Sequence, residues 1–493
     1  MPDPLEPGSC GPEALRTPLA TARVLIAGLG VTGRAVGAVL QGRVASVLTV
    51  DAHADADVHD GAALDWRAID LVVVSPGWHP DAPLLVAAQE HGVPVWSEVE
   101  LAWHLRVPSD TTGRPAPWVA VTGTNGKTTT VEMLDSILTA DGRSSRAVGN
   151  VGRPLVEAAV DPSLDVLALE LSSYQLHHTY SMSALAAAVL NVAPDHLDWH
   201  GSMGAYAAAK GRVYARVQIA CVYPVGDELV TGLVTEADVV EGARAVGFTA
   251  GAPGRGELGL VEDVLVDRAF HLPEDHPQRH TSAAELATLA DLAHLAGPDG
   301  QVPRHTVLDA LAAAALARAA GASARAVRDG LRAFTTGRHR IEQVGVAGGV
   351  RYVDDSKATN AHAAQASLQA FAAGSVVWVA GGLAKGARFE DLVAAVRDRL
   401  RAVVLIGVDH HELSEALARH APQIPVVEVD PGETETVMTR AVDSARGLAH
   451  AGDTVLLAPA SASMDQFRSY ADRGDAFARA VRDVVDAASA DAR

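Results

Sequence analysis

The chain has 493 residues, 48% of them hydrophobic and 20% charged, with a formal net charge of −20. That length exceeds what one core supports and predicts two to four domains at roughly 100–200 residues each. The acidic balance argues against nucleic acid or an anionic membrane surface as partner, since both need a basic footprint. Cys10 and Cys221 fit no metal or redox spacing and suit a reducing cytoplasm. No apolar run reaches the ~18 residues of a membrane span. The opening residues, MPDPLEPGSCGPEALRTP, carry prolines and acids where a signal peptide has bases and an apolar core, so residues 1–20 are expected to form a disordered extension.

In chain order, RVLIAGLGVTG (Arg23 to Gly33) is an apolar strand, then Gly28-x-Gly30-x-x-Gly33 opening a helix, with Asp51 closing the next strand. This is a Rossmann-like nucleotide unit that taken alone suggests NAD, although such a glycine pattern also serves plain packing turns. DLVVVSPG and VPVWSEVEL read as third and fourth strands, the former ending in Ser75-Pro76-Gly77. TTGRPAP (Thr111 to Pro117) reads as a linker.

WVAVTGTNGKTTT (Trp118 to Thr130) follows: a short buried strand, a tight Gly-rich loop, one lysine, and threonines that open a helix. Free backbone N–H groups at such a helix start attract anions. Lys127 is placed to meet β/γ-phosphates and the Thr128 hydroxyl to meet Mg²⁺. Val121 stands where the usual phosphate-loop pattern has its first glycine, so the loop is a short variant. GNVGRP (Gly149 to Pro154) is a turn with an exposed amide. Glu170 ends an apolar strand, where a carboxylate is costly unless paired or metal-bound; metal binding is the preferred reading and a structural ion pair the alternative. The segment AAAVLNVAPDHLDWHGS delivers Asn191, Asp195, His196 and Asp198 to a loop. Residues 225–280 are weakly patterned and read as surface strands and loops, and FTTGRHRIE (Phe334 to Glu342) as a second linker. The last part has five strands with helices between, carrying polar clusters at DDSKATN, GGLAKGARF and SASMDQFRSYADRGDAF. Converging strand ends there form a cationic crevice suited to a small carboxylate-bearing substrate.

Of 40 basic residues only four are lysine, namely Lys127, Lys210, Lys357 and Lys385. Where arginine serves nearly every plain positive charge, retained lysines mark places for a compact ammonium or a reactive amine. Lys210 could also be a solvated lysine of an Ala-rich helix. Three α/β units, a phosphate loop and a cationic pocket suggest a ligase that activates a carboxylate by phosphoryl transfer from ATP.

The shared GTNGKTTT, ELSS and DHLD segments, with DDSKATN and SASMDQF…RG, make the chain resemble the Mur ligase family from about Val24 to Phe477. The resemblance implies an α/β protein of three domains: residues 21–113 binding a UDP-linked substrate, 114–336 binding ATP on a phosphate-loop core, and 337–493, again Rossmann-like, binding an amino acid. It implies that Gly30, Val31, Thr32, Asp51, Ser75 and Gly77 hold the UDP moiety, so the first unit is no NAD site, and that Asn150 meets the muramoyl part. Gly123, Thr124, Asn125, Gly126, Lys127, Thr128 and Thr129 would hold ATP phosphates, with Arg340 and Asp355 on the nucleoside. Thr128, Glu170, His196 and Lys210, the last as a carbamate, would bind Mg²⁺, with Lys127, Lys210, His196 and Glu170 serving catalysis. Lys357, Thr359, Lys385, Ser463 and Tyr470 would surround D-glutamate. The implied reaction joins D-glutamate to UDP-N-acetylmuramoyl-L-alanine through an acyl phosphate, in the cytoplasm, by a monomer needing neither nucleic acid nor membrane span. The chain departs from the family pattern after His305, where Thr306 and Asp309 stand in place of asparagines, and after Asp51, where Ala52 and His53 replace an expected polar or basic pair.

Overall fold

A computed structural model describes residues 14–59, 61, 64–297, 300–335 and 337–491. Most of the extension expected over residues 1–20, with Cys10, lies outside the described residues. The chain forms two compact units. One comprises residues through Val192, Trp199–Asp291 and Val307–Phe334, and the other Ala193–Asp198, Leu292–Thr306 and Thr335 onward.

The first unit holds two sheets. Strands β1 (Arg23–Ala27), β2 (Ser46–Val50), β3 (Leu71–Val74) and β4 (Val95–Ser97) form a parallel sheet of order β2-β1-β3-β4. The second sheet has nine strands: β5 (Trp118–Thr122), β6 (Ser145–Gly149), β7 (Val166–Glu170), β8 (Ala186–Val189), β9 (Ala220–Pro224), β10 (Arg244–Phe248), β11 (Glu257–Val261), β12 (Val264–Asp267) and β13 (Ala284–Thr288). Its order is β13-β12-β11-β10-β9-β8-β5-β7-β6, parallel from β6 through β11, with β12 and β13 antiparallel. In each sheet the first strand is interior and its successors fall on both sides. β1 and β5 therefore sit at switch points, where loops diverge and leave a crevice at the strand C-termini. Strands β5 and β7 are buried along their whole length, as continuous apolar runs in a parallel sheet should be. One hydrophobic cluster runs from Val24 and Ile26 through Trp96 and Trp118 to Leu167 and Val189, so both sheets share a core.

The second unit carries β14 (Glu342–Ala347), β15 (Val350–Asp354), β16 (Val376–Gly381), β17 (Leu400–Ile406), β18 (Val426–Glu428) and β19 (Thr454–Leu457) in the order β14-β15-β19-β16-β17-β18. All neighbours are parallel except β14, which pairs antiparallel with β15 across Gly348-Gly349, both at positive φ. That hairpin turn needs residues free to adopt left-handed backbone. The sequence reading missed β14.

Three other local expectations are corrected. VPVWSEVEL is strand only to Ser97. Ser97 then caps helix Glu98–Leu105, its Oγ accepting from Glu100 N at 3.3 Å, because Ser-x-x-Glu favours a helix start over continued strand. Residues 228–235 form a helix capped by Asp227 rather than loop. The stretch read as a linker from Phe334 contributes Glu342 to a strand.

Glu98 is buried and accepts from Val156 N at 3.0 Å. Burial pushes its carboxyl up to about 7. A carboxyl with folded pKa above its unfolded value takes up its proton more readily in the folded state. Its contribution is therefore greatest at low pH and is lost as pH rises from the ordinary glutamate range of about 4.3 to about 7. Glu98→Gln keeps an acceptor for Val156, so its urea stability is expected to match wild type near pH 4.5 and to exceed it by about 2 kcal/mol at pH 8. A wild-type advantage growing with pH would contradict this sign.

Candidate active site

At the end of β5 the chain must turn sharply into helix Lys127–Ala140. Gly123 (φ 153°) and Gly126 (φ 81°) make the turn, and Gly126 is the helix N-cap. A Cβ on Gly126 would lie 2.4 Å from Asp309 Oδ1, and one on Gly123 would meet Leu190 at 3.1 Å. The loop is held from below by Asn191, which sequence reasoning placed in a loop without a role. Asn125 N donates to Asn191 Oδ1 at 2.9 Å, Asn191 Nδ2 donates to the Asn125 carbonyl at 3.1 Å, and Thr124 N donates to the Asn191 carbonyl at 3.0 Å. This clamp fixes the loop's shape without help from Val121.

Lys127 folds back over the loop, Nζ donating to the Gly123 and Thr124 carbonyls, both at 2.9 Å. Lys210 Nζ donates to the same Gly123 carbonyl at 2.7 Å and lies 4.5 Å from the ring centre of Tyr206, whose hydroxyl is 3.1 Å from Thr124 Oγ1. Lys210 is 2% exposed, so the reading of a solvated helix lysine is corrected. Thr128 Oγ1 donates to Glu170 Oε2 at 2.6 Å, and Asn150 Nδ2 donates to Glu170 Oε1 at 2.8 Å. Glu170 lies one strand over from β5 and is 2% exposed. Thr128, Glu170, Asn150, Lys127 and Lys210 are thus gathered around one turn. Thr128 and Glu170 offer only oxygen to a hard cation, the donor chemistry that Mg²⁺ prefers. Thr129 is part-buried in the first turn of the helix. His196 belongs to the segment Ala193–Asp198 of the second unit, with φ 54° and its Nε2 3.5 Å from Asp195 Oδ2.

The first sheet brings its expected residues to the end of β1. Gly30 caps helix Val31–Leu40, in which Val31 is exposed and Thr32 part-buried. Asp51 accepts from Leu29 N at 2.7 Å, His53 N at 2.9 Å and Ala54 N at 3.0 Å, and these bonds pull its carboxyl down to about 2. Ser75 Oγ donates to the Gly28 carbonyl at 2.9 Å, and Gly77 faces open space. A cleft runs from Ser75, Pro76 and Trp78 to Tyr174, His178 and Trp199.

In the second unit the DDSKATN segment leaves β15. Asp354 Oδ2 is 2.7 Å from His339 Nδ1, and Asp355 accepts from Ile341 N at 3.3 Å and from Ser367 Oγ. Burial pushes the Asp355 carboxyl up to about 6, against the pull of its Ser367 bond and the Arg340 charge. Arg340 is flanked by His339 and Ile341, both at positive φ (66° and 47°), a backbone strain tolerated where the surroundings fix a side chain's aim. Lys357 Nζ lies 5.1 Å from the Tyr470 ring centre, and Thr359 N donates to the Lys357 carbonyl at 2.8 Å. Paired backbone bonds between Leu383 and Ala462 join the loop of Lys385 to that of Ser463. Arg473, not singled out in the sequence, is 1% exposed and binds Ser356 Oγ at 3.0 Å, the Ser356 carbonyl at 3.0 Å and the Ser461 carbonyl at 3.1 Å; burial pushes it down to about 10. It could have been found: it occupies the apolar stripe continued by Phe477, Val481 and Val484, where a guanidinium needs a built set of acceptors.

Sheets, switch points and loop define the class, an α/β protein with a Gly-rich strand-to-helix loop of phosphate-loop type. Residues 121–253 match the Mur ligase middle domain and 339–461 the Mur ligase glutamate ligase domain. A UDP-N-acetylmuramoylalanine–D-glutamate ligase of Streptomyces avermitilis is 56% identical over 476 residues, covering 93% of this chain and 97% of its own, and one of Streptomyces coelicolor is 54% identical, covering 94% and 98%. In fold the chain is similar to the UDP-N-acetylmuramate-alanine ligase MurC of Thermotoga maritima (TM-score 0.54, 17% identity, 95% and 100% of the two chains) and to a pseudomurein peptide ligase of Methanothermus fervidus (TM-score 0.54, 16% identity, 89% and 96%). The chain belongs to the Mur ligase family, whose members are ATP-dependent ligases.

Gly126→Ala tests the cradle. Left-handed backbone costs an L-residue about 1–2 kcal/mol, and the new methyl meets Asp309. The variant is expected to raise KM for ATP at least about tenfold, with little change in the melting of the second unit. An unchanged KM would show that the loop can relax.

Proposed function

We propose that the chain ligates D-glutamate to UDP-N-acetylmuramoyl-L-alanine with hydrolysis of ATP, a step of peptidoglycan synthesis in the cytoplasm. The observation that carries this reading is the convergence of Lys127, Thr128, Glu170, Asn150 and Lys210 on the Gly123 turn, in a chain 56% identical to a ligase named for these substrates. Residues 21–113 take the UDP-linked substrate, 114–336 ATP, and 337–493 D-glutamate, and the enzyme works as a monomer.

ATP phosphates occupy the cradle of Gly123, Thr124, Asn125, Gly126, Lys127, Thr128 and Thr129, where backbone N–H groups and the helix start favour anions. Arg340 and Asp355 serve the nucleoside. Gly30, Val31, Thr32, Asp51, Ser75 and Gly77 hold the UDP end, and Asn150 orients the muramoyl part. Asp51 acts through the backbone: its three N–H bonds shape the loop against which the nucleotide lies. Thr128, Glu170, His196 and a carbamate on Lys210 would hold Mg²⁺, which when bound neutralises charge on the transferring phosphoryl group.

The substrate carboxylate takes the γ-phosphoryl group, forming an acyl phosphate and releasing ADP. Lys127, poised over the loop, balances the charge that develops. The D-glutamate amine, held with Lys357, Thr359, Lys385, Ser463 and Tyr470 around its carboxylates, then attacks the acyl carbon. A C–N bond forms, the C–O bond to phosphate breaks, and the amine proton is lost. Lys210 is a lysine and not an arginine because a neutral amine can add to CO₂, forming an N–C bond and losing a proton to give a carbamate, which a guanidinium cannot.

Phosphate release measured with the UDP-sugar substrate and, in turn, D-glutamate, L-glutamate, L-alanine and meso-diaminopimelate is expected to depend on D-glutamate alone; dependence on another amino acid overturns the specificity. Lys210→Ala is expected to lose turnover by at least about a hundredfold and to regain part of it with added short carboxylates. Wild-type turnover in that variant excludes the carbamate.

A further inference from the structure

Helix Glu98–Leu105 starts where β4 ends, so its first turn is fixed to the N-terminal sheet. Two carboxylates in that turn, Glu98 and Glu100, are each 2% exposed. Buried carboxylates persist only where donors converge on them. Here the backbone donors come from Val156, Tyr180 and Ser181, in the part of the unit built on the nine-stranded sheet. Glu98 Oε1 takes Val156 N at 3.0 Å, in the first turn of helix Leu155–Ala159, whose N-cap Pro154 offers no side-chain cap. Glu100 Oε2 takes Tyr180 N at 2.8 Å and Ser181 N at 2.9 Å, while Oε1 takes Ser181 Oγ at 2.5 Å and faces His104 Nε2 at 3.2 Å. Burial works against the Glu100 charge, but the bonds from His104, Ser181 and Tyr180 outweigh it and hold the carboxyl below its usual range. Ser97 adds two more links, its N–H to the His178 carbonyl at 2.9 Å and its hydroxyl to Thr179 Oγ1 at 2.9 Å. Trp96 stacks on His104 with ring centres 4.6 Å apart.

What these bonds hold matters more than their number. Val156 follows the turn that carries Asn150. Tyr180 and Ser181 follow helix Ser173–His177, which supplies Tyr174 and Gln175 to one wall of the cleft, joined there by His178. The facing wall, Ser75, Pro76 and Trp78, leaves β3, the neighbour of β4. One four-residue stretch, Ser97 to Glu100, thus ties both walls to a single helix.

We propose that Glu100, seconded by Glu98 and Ser97, is a positioning residue that sets the width of this cleft and thereby the grip on a nucleoside-diphosphate sugar spanning the two sheets. The proposal rests on the UDP-substrate reading above. Glu100 does not touch the substrate in this scheme; it acts by fixing the walls that do. The cleft is then preformed, and binding the sugar nucleotide need not spend interaction energy on drawing two domains together.

Steady-state kinetics of the full chain test it. Glu100→Gln puts an amide N–H₂ among donors that need an acceptor, and is expected to raise KM for the UDP-sugar substrate about tenfold while kcat stays within about twofold and KM for ATP does not move. Ser181→Ala removes one side-chain donor and leaves both backbone donors, and is expected to raise the same KM about threefold. A merely structural role would lower the melting temperature and the active fraction without moving KM. The proposal is overturned by an unchanged sugar-nucleotide KM in Glu100→Gln, by an equal rise in KM for ATP, or, where Glu100→Gln does not fold, by an unchanged KM in Ser181→Ala. Absence of turnover in wild type would instead defeat the substrate reading.

Discussion

The first unit depends on one oxygen, the carbonyl of Gly123. Lys127 and Lys210 both donate to it, at 2.9 and 2.7 Å. While both are ammonium groups, two amines sharing one acceptor lie roughly 5 Å apart and repel one another by about 3 kcal/mol at an effective dielectric near 20, a repulsion that the carbamate proposed for Lys210 would remove. Such an arrangement persists because the surroundings over-determine it. Glu170 brings negative charge on the neighbouring strand, the Tyr206 ring faces one cation, and the Asn191 clamp denies the loop any other shape. The result is a turn whose shape is fixed by lysine, tyrosine and asparagine contacts within the fold itself.

The second unit solves a different electrostatic problem. Asp354 and Asp355 leave β15 side by side and both are buried. His339 faces one and Ser367 donates to the other, and Arg473 binds Ser356, which follows them in the chain. Gly474 has no side chain because a Cβ there would lie 2.3 Å from His339 Nδ1 and 2.6 Å from Asp354 Oδ2. The Arg340 charge in turn pulls against the burial that raises Asp355, so buried carboxyls and basic groups compensate one another around this strand end.

Much of this was legible in the residues. The phosphate loop announced itself because strand, glycines, lysine and helix occur in an order that physics ties to anion binding. The scarcity of lysine pointed to Lys210, which a helical pattern alone would have assigned to solvent, and the structure buries it. The five strands of the C-terminal sheet were readable as apolar runs, while β14 was hidden because its burial is partial and its signal lay in the Gly348-Gly349 turn. VPVWSEVEL was misread as one strand because Val and Trp dominate its first half, and the contrary signal is the Ser97-x-x-Glu100 start of a helix. Asn191 and Tyr206 escaped because their roles depend on partners distant in sequence, which periodicity cannot report, whereas Arg473 interrupts an apolar helical stripe and could have been flagged by it.

The central claim is that the cluster around Gly123 activates a carboxylate as an acyl phosphate. The most direct measurement follows oxygen. With the UDP-N-acetylmuramoyl-L-alanine carboxylate labelled in both oxygens with ¹⁸O, the account predicts that each phosphate released on ligation of D-glutamate carries one ¹⁸O, its partner remaining in the new amide. Released phosphate free of label, with ligation proceeding, would contradict it.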